Sequence, residues 1–316
     1  MPDGGTIPRP DVARDALAGL LAPQKTLPAK LFYDAEGSRL FVLITSMPEY
    51  YLTRTELGLL RTVAPDVGRR APAGAAVVEY GAGSEVKAAI LLRALRRPAA
   101  YLPIDVAEEM LADSQSRLSR QFPALVIRPV VGDFLAPFRL PPIVDGMPRL
   151  GFFPGSTIGN LEPPVAIRFL RQARETLGAD AMLLVGVDRR KDPSILLPAY
   201  DDAGGITAAF NRNVLLRLNR EAGANFDPDA FRHLALWNDR EGRIEMHLVS
   251  RRSQRVRVGD QTVSFAEGET IHTENSYKHT PEAFLALARD AGWDGIELWT
   301  DSDDLFSIHL LRAESE

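Results

Sequence analysis

The feature that most constrains the fold is an apolar run followed by an acidic residue and a Gly-x-Gly turn. Residues 75–78 are all apolar, which predicts a buried strand, and Glu79, Gly81 and Gly83 come soon after them. The residues beyond the turn predict a helix whose apolar positions are Val86, Ile90, Leu91 and Leu95. A strand, a glycine turn and a helix let a ligand approach the backbone closely, although an ordinary tight turn has the same signature.

The spacing of the glycines narrows the class of ligand. A dinucleotide-binding turn would carry a third glycine at position 86, where this chain has Val86. The turn therefore favours a nucleoside over a pyrophosphate, and an NAD-dependent oxidoreductase is disfavoured.

Composition excludes several classes of partner. The 316 residues carry a net charge of −5, which favours neither nucleic acid nor a membrane surface as a partner. The one basic cluster, residues 251–257, alternates in part and is interpreted as a solvated strand face. We expect the partner to be a small-molecule substrate; the oligomeric state stays open and is compatible with a monomer.

The absence of cysteine removes thiol chemistry. Disulfides, thiolate metal sites and thiol nucleophiles are excluded, and a cytoplasmic location is expected. Residues 1–5 open no apolar run, so neither a signal peptide nor a transit peptide is predicted, and no stretch is long enough for a membrane span. The five histidines do not pair at helical metal-ligand spacing, so we expect no metal site.

Apolar segments alternate with helical ones along the chain. This rhythm predicts an α/β fold with a parallel, doubly wound, Rossmann-like sheet. The predicted strands are 75–78, 101–105, 125–131, 150–153, 181–187, 295–299 and 306–311, and the helices between them include 107–122, 165–177 and 282–291.

A long insert interrupts this rhythm. It contains a predicted helix at 208–221 and predicted antiparallel strands at 243–250, 255–258 and 262–265. The first 60 residues carry no predicted strand of the sheet, so we expect them to pack with the insert as a second, substrate-binding lobe. The expected segments are an N-terminal arm (1–60), a cofactor-binding core (61–190), the insert (191–280) and a closing helix with two strands (281–316).

Residues at the predicted strand ends suit one nucleoside ligand, because open α/β sheets bind ligands outside the carboxyl ends of their strands. Asp105 follows Gly83 by 22 residues, the spacing of a carboxylate that accepts from both ribose hydroxyls. Asp133 is a candidate acceptor for an adenine amino group, with Phe134 against the ring. Lys87, in the first helical turn, is placed to reach a ligand carboxylate.

Together with Glu79, Gly81 and Gly83, these residues form a pattern that resembles class I S-adenosylmethionine (SAM)-dependent methyltransferases. For single residues, other interpretations stay open. Acids at strand ends also cap helices, and Phe134 also suits a core position.

Asn160 lies just past the fourth predicted strand, beside the place where a methyl group would project. Its amide both donates and accepts, which suits the backbone groups of an amino acid. It also suits an N-cap of the helix that begins near Pro163 or Pro164, and both roles are compatible.

Four long runs identify a closer resemblance, covering the chain from about Leu27 to Leu311. They are PEYY-x-TR (48–54), GSTIGN (155–160), AYDDAGGITAAFNRN (199–213) and TENS (273–276). The chain resembles the histidine Nα-methyltransferases of ergothioneine biosynthesis, which convert L-histidine to the trimethylbetaine hercynine. Leu52 departs from the family, which usually has proline there; we expect this to affect the stiffness of the loop rather than chemistry.

The resemblance implies a substrate pocket and assigns residues to it. Contacts to the carboxylate and amine of the substrate fall on Tyr33, Tyr50, Asn160 and Tyr200, with Phe41 and Gly155 lining the same pocket. Recognition of the imidazole ring falls on Glu274 and Ser276, with Thr207 and Met246 nearby.

The resemblance also implies SAM as cofactor and three direct, in-line methyl transfers to the neutral α-amine. Tyr33 and Asn160 are the residues expected to act in catalysis. Tyr33 is the candidate for guiding the amine proton away, directly or through water. The alternatives are an N-methyltransferase for another aromatic amino acid such as tryptophan, which Met246 and Glu274 disfavour, and a non-catalytic SAM-binding module.

Overall fold

The computed structural model describes residues 11–83 and 85–314. The N-terminal residues 1–5, interpreted above as free of a targeting signal, lie outside these ranges, as does Ser84 beside the glycine turn. The helices are α1 (Val12–Leu20), α2 (Ala35–Ile44), α3 (Tyr51–Arg70), α4 (Glu85–Ala94), α5 (Glu108–Gln121), α6 (Pro163–Leu177), α7 (Pro193–Tyr200), α8 (Ile206–Glu221) and α9 (Pro281–Asp290).

The strands form three sheets. They are β1 (Lys25–Thr26), β2 (Ala76–Tyr80), β3 (Ala100–Asp105), β4 (Val126–Ile127), β5 (Val130–Val131), β6 (Arg149–Phe153), β7 (Met182–Asp188), β8 (Phe231–Asn238), β9 (Arg243–Ser250), β10 (Gln254–Val258), β11 (Gln261–Phe265), β12 (Thr270–Tyr277), β13 (Trp293–Thr300) and β14 (Phe306–Ala313).

The chain divides into two compact units. Among the described residues, unit 1 holds 52–190 and 278–314, and unit 2 holds 11–51 and 191–277. The first division falls between Tyr51 and Leu52, at the start of α3, and the rest of that helix belongs to unit 1.

Unit 1 is built on an eight-stranded sheet with the order β13-β14-β7-β6-β2-β3-β4, and β5 also pairs with β3. The strands from β2 to β7 run parallel, whereas β14 is antiparallel to β7 and β13 is antiparallel to β14. The predicted α/β class with a parallel, doubly wound sheet is confirmed.

Two apolar clusters, one on each face, hold helices against this sheet. All five residues of β2 are buried, and successive side chains point to opposite faces. Val78 and Tyr80 belong to the cluster that includes residues of α6 and α9. Val77 belongs to the cluster that includes residues of α3 and α4. Burial on both faces explains why these strands are continuous apolar runs in the sequence.

Two details of the sequence analysis of unit 1 are wrong. The single strand expected at 125–131 is two short strands, and Pro129, which has no N–H to donate to a ladder, lies between them. Val86 was expected on the apolar face of α4 but is 44% exposed, and Ala88 and Ala89 are buried instead.

Unit 2 contains a four-stranded sheet with the order β1-β12-β9-β8 and a separate β10-β11 hairpin. The short strand β1 comes from the N-terminal arm and pairs in parallel with β12, which comes from the insert. The insert strands at 243–250, 255–258 and 262–265 are confirmed, whereas β8 and β12 were not predicted.

Two glycines of α3 offer a matched test of the packing in unit 1. A Cβ at Gly68 would lie 2.1 Å from the backbone oxygen of Ala94 at the end of α4, whereas a Cβ at Gly58 would meet no atom within 4 Å. We expect Gly68→Ala to lower the free energy of unfolding by about 1–3 kcal/mol, because the two backbones must separate. We expect Gly58→Ala to raise it by about 0.5–1 kcal/mol through helix propensity. Urea denaturation checks both, and an unchanged midpoint for Gly68→Ala would contradict the close packing.

Candidate functional site

The carboxyl edge of the parallel sheet collects the residues predicted to bind the cofactor. Glu79 lies in β2, and Gly81 and Gly83 follow that strand; Asp105 ends β3; Asp133 comes two residues after β5. Since β2, β3 and β5 are parallel neighbours, their carboxyl ends meet at one edge. The structure therefore brings together what the sequence placed at separate strand ends.

The glycine turn is fixed to the end of β3. The N–H groups of Gly81 and Ala82 donate to the carbonyl of Ile104, at 2.9 Å and 3.1 Å. Gly81 has φ = +72°, a left-handed conformation that other residues adopt only with strain. A Cβ at Gly83 would meet no atom within 4 Å, so there is open space beside the turn, as a bound nucleoside would need.

Asp105 and Asp133 each bond to the backbone two residues ahead. Their Oδ1 atoms accept from the N–H groups of Ala107 and Leu135, both at 2.9 Å. Burial raises the pKa of Asp105, and the N–H bonds from Ala107 and Val106 oppose the rise. A carboxylate oxygen accepts more than one hydrogen bond, so these turns leave capacity for a ribose diol and an adenine amino group.

Phe134 is half-buried and belongs to an aromatic cluster. Its ring meets those of Tyr80, Phe153 and Phe169 edge-on, with centroids 6.5, 5.6 and 5.5 Å away. The interpretation of Phe134 as a core residue and its predicted contact with adenine are therefore compatible.

Lys87 has a protein partner that the sequence analysis missed. Its Nζ forms an ion pair with the carboxylate of Glu56, a buried residue of α3. The Gly155 N–H donates to the same carboxylate, at 2.8 and 3.0 Å from its two oxygens. The sequence does contain a signal for this ion pair. Glu56 falls on the apolar face that α3 forms with Leu52, Leu59 and Leu60, where a charged residue needs a partner.

Glu79 is fully buried and accepts a hydrogen bond from the Tyr101 hydroxyl at 2.6 Å. Burial raises the pKa of Glu79 to about 8. The bond from Tyr101 and the charge of Lys87 work against this rise, and the charges of Glu56 and Asp105 add to it. Glu79 therefore keeps its proton at pH values where an exposed glutamate has lost it.

The predicted acceptor loop follows β6 in unit 1. Gly155 and Ser156 both have positive φ, +82° and +55°, and the Ser156 hydroxyl accepts from the Asp188 N–H at 2.9 Å. Asn160 ends a short 3₁₀ turn and is half-buried. Its interpretation as an N-cap is wrong, because the cap residue of α6 is Glu162.

Unit 2 contains a cleft of about 290 Å³, counting the part open to solvent. The cleft brings together most of the predicted substrate-binding residues of this unit and adds three residues that were not predicted, Ile44, Ala199 and Phe210. The predicted residues that line it are Tyr33, Phe41, Tyr50, Tyr200, Thr207, Met246 and Glu274.

Aromatic rings form much of the wall of this cleft. Phe41 meets Tyr33 and Tyr50 edge-on, with centroids 5.7 and 6.2 Å away, and Tyr50 meets Tyr200 at 6.4 Å. Phe210 lies 5.9 Å from Tyr33 and 6.0 Å from Phe41. Such edge-to-face contacts fix the direction of each ring and hence of each tyrosine hydroxyl.

The polar groups of the cleft differ in their hydrogen bonding. The Tyr200 hydroxyl and the Ser276 hydroxyl bond to each other at 2.7 Å, so Ser276 reaches the cleft through Tyr200. His233 Nε2 donates to the Tyr200 carbonyl at 2.8 Å and holds that residue in place. The Thr207 hydroxyl is buried beside Asp202, and by distance and angle it meets no hydrogen-bond partner within residues 11–83 and 85–314.

An irregularity in the sheet places Glu274 in the cleft. Glu274 lies opposite Met246, and the register between β12 and β9 shifts between His272 and Glu274. Thr273, the extra residue, donates through its hydroxyl to the Met246 carbonyl at 2.9 Å. Bulges of this kind redirect side chains and are common beside active sites.

One histidine cluster of unit 2 has ligand atoms within metal-binding range. Glu245, His247 and His272 offer atoms within 4.8 Å of one another. However, the Glu245 carboxylate accepts from Asn238, Arg243 and His247, at 2.9, 2.8 and 3.0 Å. The two imidazole rings stack at 4.6 Å, and His272 Nε2 bonds to the Glu274 carbonyl at 3.0 Å. The geometry favours a hydrogen-bonded network; that the protein binds no metal stays a prediction.

Comparisons with known proteins agree along nearly the whole chain. The family model for histidine-specific, SAM-dependent methyltransferases matches residues 12–313. The chain is 45% identical over 303 residues to the histidine N-alpha-methyltransferase of Mycolicibacterium smegmatis, covering 94% of this chain and 93% of that protein. It is 43% identical over 302 residues to the protein of the same name from Mycobacterium tuberculosis, with the same coverage.

Among solved structures, a SAM-dependent methyltransferase from Clostridium acetobutylicum matches with a TM-score of 0.50 and 11% identity. The match covers 88% of this chain and 99% of that one, and it shows the fold alone.

The raised pKa of Glu79 predicts a pH dependence of stability. The folded protein keeps the proton to about pH 8, whereas the unfolded chain releases it near pH 4.5. The stabilisation of the protonated carboxyl is therefore complete below pH 4.5 and is lost as the pH rises through about 8. Between these values, we expect the free energy of unfolding of Glu79→Gln to rise relative to that of the wild type by up to about 1.4 kcal/mol for each pH unit.

The measurement is urea denaturation of both proteins in the absence of ligand from pH 5 to pH 9. The exposed Glu109→Gln serves as the control and should follow the wild-type profile. A constant difference between Glu79→Gln and wild type across the range would show that Glu79 titrates normally.

Proposed function

The chain belongs to the histidine-specific, SAM-dependent methyltransferase family, and we propose on that premise that it methylates the α-amine of L-histidine. The proposed reaction consists of three successive transfers that give hercynine, the first step of ergothioneine biosynthesis. SAM is the cofactor and methyl donor of this family.

The observation that carries the choice of substrate is the chemistry of the cleft in unit 2. A carboxylate, Glu274, lines the same cleft as Phe41, Phe210 and Met246. An imidazole N–H donates a hydrogen bond to a carboxylate, whereas a phenyl ring has no group to donate. The Thr207 hydroxyl is a second polar group on the wall of the cleft.

We assign cofactor binding to the carboxyl edge of the sheet in unit 1. Asp105 would accept from the ribose hydroxyls, and Asp133 from the adenine amino group, with Phe134 against the ring. The open space at Gly83 and the acceptor capacity of the two carboxylates support this assignment. Glu79 and Gly81 would maintain the shape of the turn, and Lys87 would face the methionine carboxylate.

When bound, SAM supplies a methyl group already activated by its sulfonium, so no nucleophilic side chain is needed. The work of the protein is to hold a neutral amine in line with the bond that breaks. Proximity and orientation of this kind lower a barrier by about 7–11 kcal/mol in good cases.

We assign the orientation of the substrate to the residues that the family resemblance implies. Tyr50, Tyr200 and Asn160 would hold the substrate carboxylate, and Gly155 would line the pocket. Glu274, together with Ser276, would fix the ring.

A protonated amine has no lone pair, so one proton must leave before each transfer. We assign its guidance to Tyr33, whose ring is fixed by the two phenylalanines beside it, Phe41 and Phe210. The amine proton passes to water, either directly or through a relay in which the Tyr33 hydroxyl accepts it while giving its own proton to water, so that the phenol stays neutral.

We propose a cytoplasmic site of action, which suits a cysteine-free chain and a small metabolite as substrate. Within residues 11–83 and 85–314, no helix combines the length and the apolarity that crossing a bilayer requires.

The direct test is mass spectrometry of the purified protein with SAM and each of the twenty amino acids in turn. We expect stepwise addition of three methyl groups to histidine and none to the others. Methylation of tryptophan would keep the assignment of SAM and overturn that of Glu274. SAM binding without any methylation would indicate a modified substrate or a binding module.

A variant of Glu274 tests the recognition of the ring. We expect Glu274→Ala to lower kcat/KM for histidine on the order of 10²-fold, because the ring loses a charged hydrogen-bond acceptor. The affinity for SAM, measured by calorimetry, should stay unchanged.

The matched control is Glu267→Ala, which removes an exposed carboxylate from the turn before the same strand. It should leave both quantities as in the wild type. Wild-type histidine kinetics in Glu274→Ala would remove that residue from substrate recognition.

A further inference from the structure

Glu56 is a buried carboxylate in unit 1 to which the family resemblance assigned no role. It lies in the second turn of α3 and is 2% exposed. Removing a carboxylate from water is costly unless charges and hydrogen bonds replace the lost hydration. Its partners therefore indicate what the chain gains by burying it.

Those partners come from two different parts of the proposed site. One is Lys87 Nζ, in the first turn of α4, which follows the glycine turn. The other is the N–H of Gly155, which lies 2.8 Å from Oε1 and 3.0 Å from Oε2 and opens the loop that ends in Asn160. A single carboxylate thus joins the cofactor-side lysine to the acceptor-side loop.

The neighbouring strand leaves room for this arrangement. A Cβ at Gly186, in β7, would lie 2.2 Å from Oε1 of Glu56. Gly186 is thus small enough for the carboxylate to occupy the space above the sheet, and any larger residue would displace it.

The loop also has a second anchor, at Ser156, whose hydroxyl accepts from the Asp188 N–H at 2.9 Å. Gly155 and Ser156 both adopt left-handed conformations, so the loop needs fixed partners to keep this shape.

We infer that Glu56 is a positioning residue of the methyl-transfer site, holding Lys87 and the Gly155 loop in one fixed arrangement. This inference rests on the proposed function, because it assigns Lys87 to the cofactor and Gly155 to the amino-acid substrate. Glu56 touches neither the sulfonium nor the amine and acts through these two partners. The ion pair with Glu56 also holds the Lys87 ammonium group in one orientation, in which it would face the cofactor carboxylate.

The test compares Glu56→Gln with the wild type. The amide oxygen of glutamine still accepts from the Gly155 N–H, but its NH₂ group faces Lys87 and the ion pair is lost. We expect the Kd for SAM, measured by calorimetry without histidine, to rise about tenfold. We expect kcat/KM for histidine to fall on the order of 10²-fold, since small misplacements of reacting groups have effects of that size.

Asp66→Asn is the matched control on the same helix. Asp66 forms surface ion pairs with Arg69 and Arg70, so this variant also exchanges a carboxylate for an amide. It should leave the Kd for SAM and the turnover of histidine unchanged. A general loss of folded protein would lower kcat in proportion to the unfolded fraction without changing the Kd, which separates positioning from a structural effect.

Two further variants keep the inference falsifiable if Glu56→Gln does not fold. Gly186→Ala retains every charge and displaces the Glu56 carboxylate, and we expect it to weaken SAM binding as well. In a double-mutant cycle that combines Gly186→Ala with Lys87→Met, the losses of SAM affinity should not add, because both changes act on the same ion pair.

Wild-type SAM affinity and turnover in a folded Glu56→Gln or Gly186→Ala would overturn the inference, as would fully additive losses in the cycle. These results are separable from failure of the proposed function. If the wild type methylates no histidine, the proposed function fails, and the calorimetric comparison still decides whether Glu56 orients Lys87.

Discussion

Buried charge at the carboxyl edge of the parallel sheet is the constraint on which the rest of unit 1 depends. Buried ion pairs there join different elements: Lys278 and Asp188 form an ion pair at 2.7 Å with both side chains fully buried. Glu56 pairs with Lys87. Because an unpaired buried charge is costly, these partners fix the ends of the strands and the loops after them. The edge that carries the proposed cofactor site is therefore rigid for electrostatic reasons as well as through packing.

In unit 2, aromatic packing and hydrogen bonds fix the side chains of the cleft. Its cleft is walled by aromatic rings in edge-to-face contact, and hydrogen bonds between distant residues fix its polar groups. Tyr200 illustrates both, because its ring meets that of Tyr50 and its hydroxyl bonds to Ser276. The contrast suits the two tasks proposed here, since a cofactor with charged ends needs paired ions, whereas a small aromatic amino acid needs shaped apolar walls with few polar contacts.

The sequence predicted the sheet of unit 1 well and that of unit 2 in part, and the difference has a physical cause. Strands buried on both faces are continuous apolar runs, so 101–105 and 150–153 were recognisable from local composition alone. β12 was missed because polar residues such as Thr273, Glu274 and Asn275 fill its middle. The break at Pro129 was overlooked because the surrounding residues are apolar and β-branched.

By itself the sequence determined the glycine turn, the acids at the strand ends and the motifs that resemble one methyltransferase family, since these depend on residues close together in the chain. Only the tertiary structure decided that Lys87 pairs with Glu56, that Ser276 bonds to Tyr200 and that a bulge turns Glu274 into the cleft. Those contacts join residues that are distant in the chain, and local periodicity carries no information about which buried groups meet. The requirement that buried charges and hydroxyls find partners selects them, and it acts only once the elements are packed.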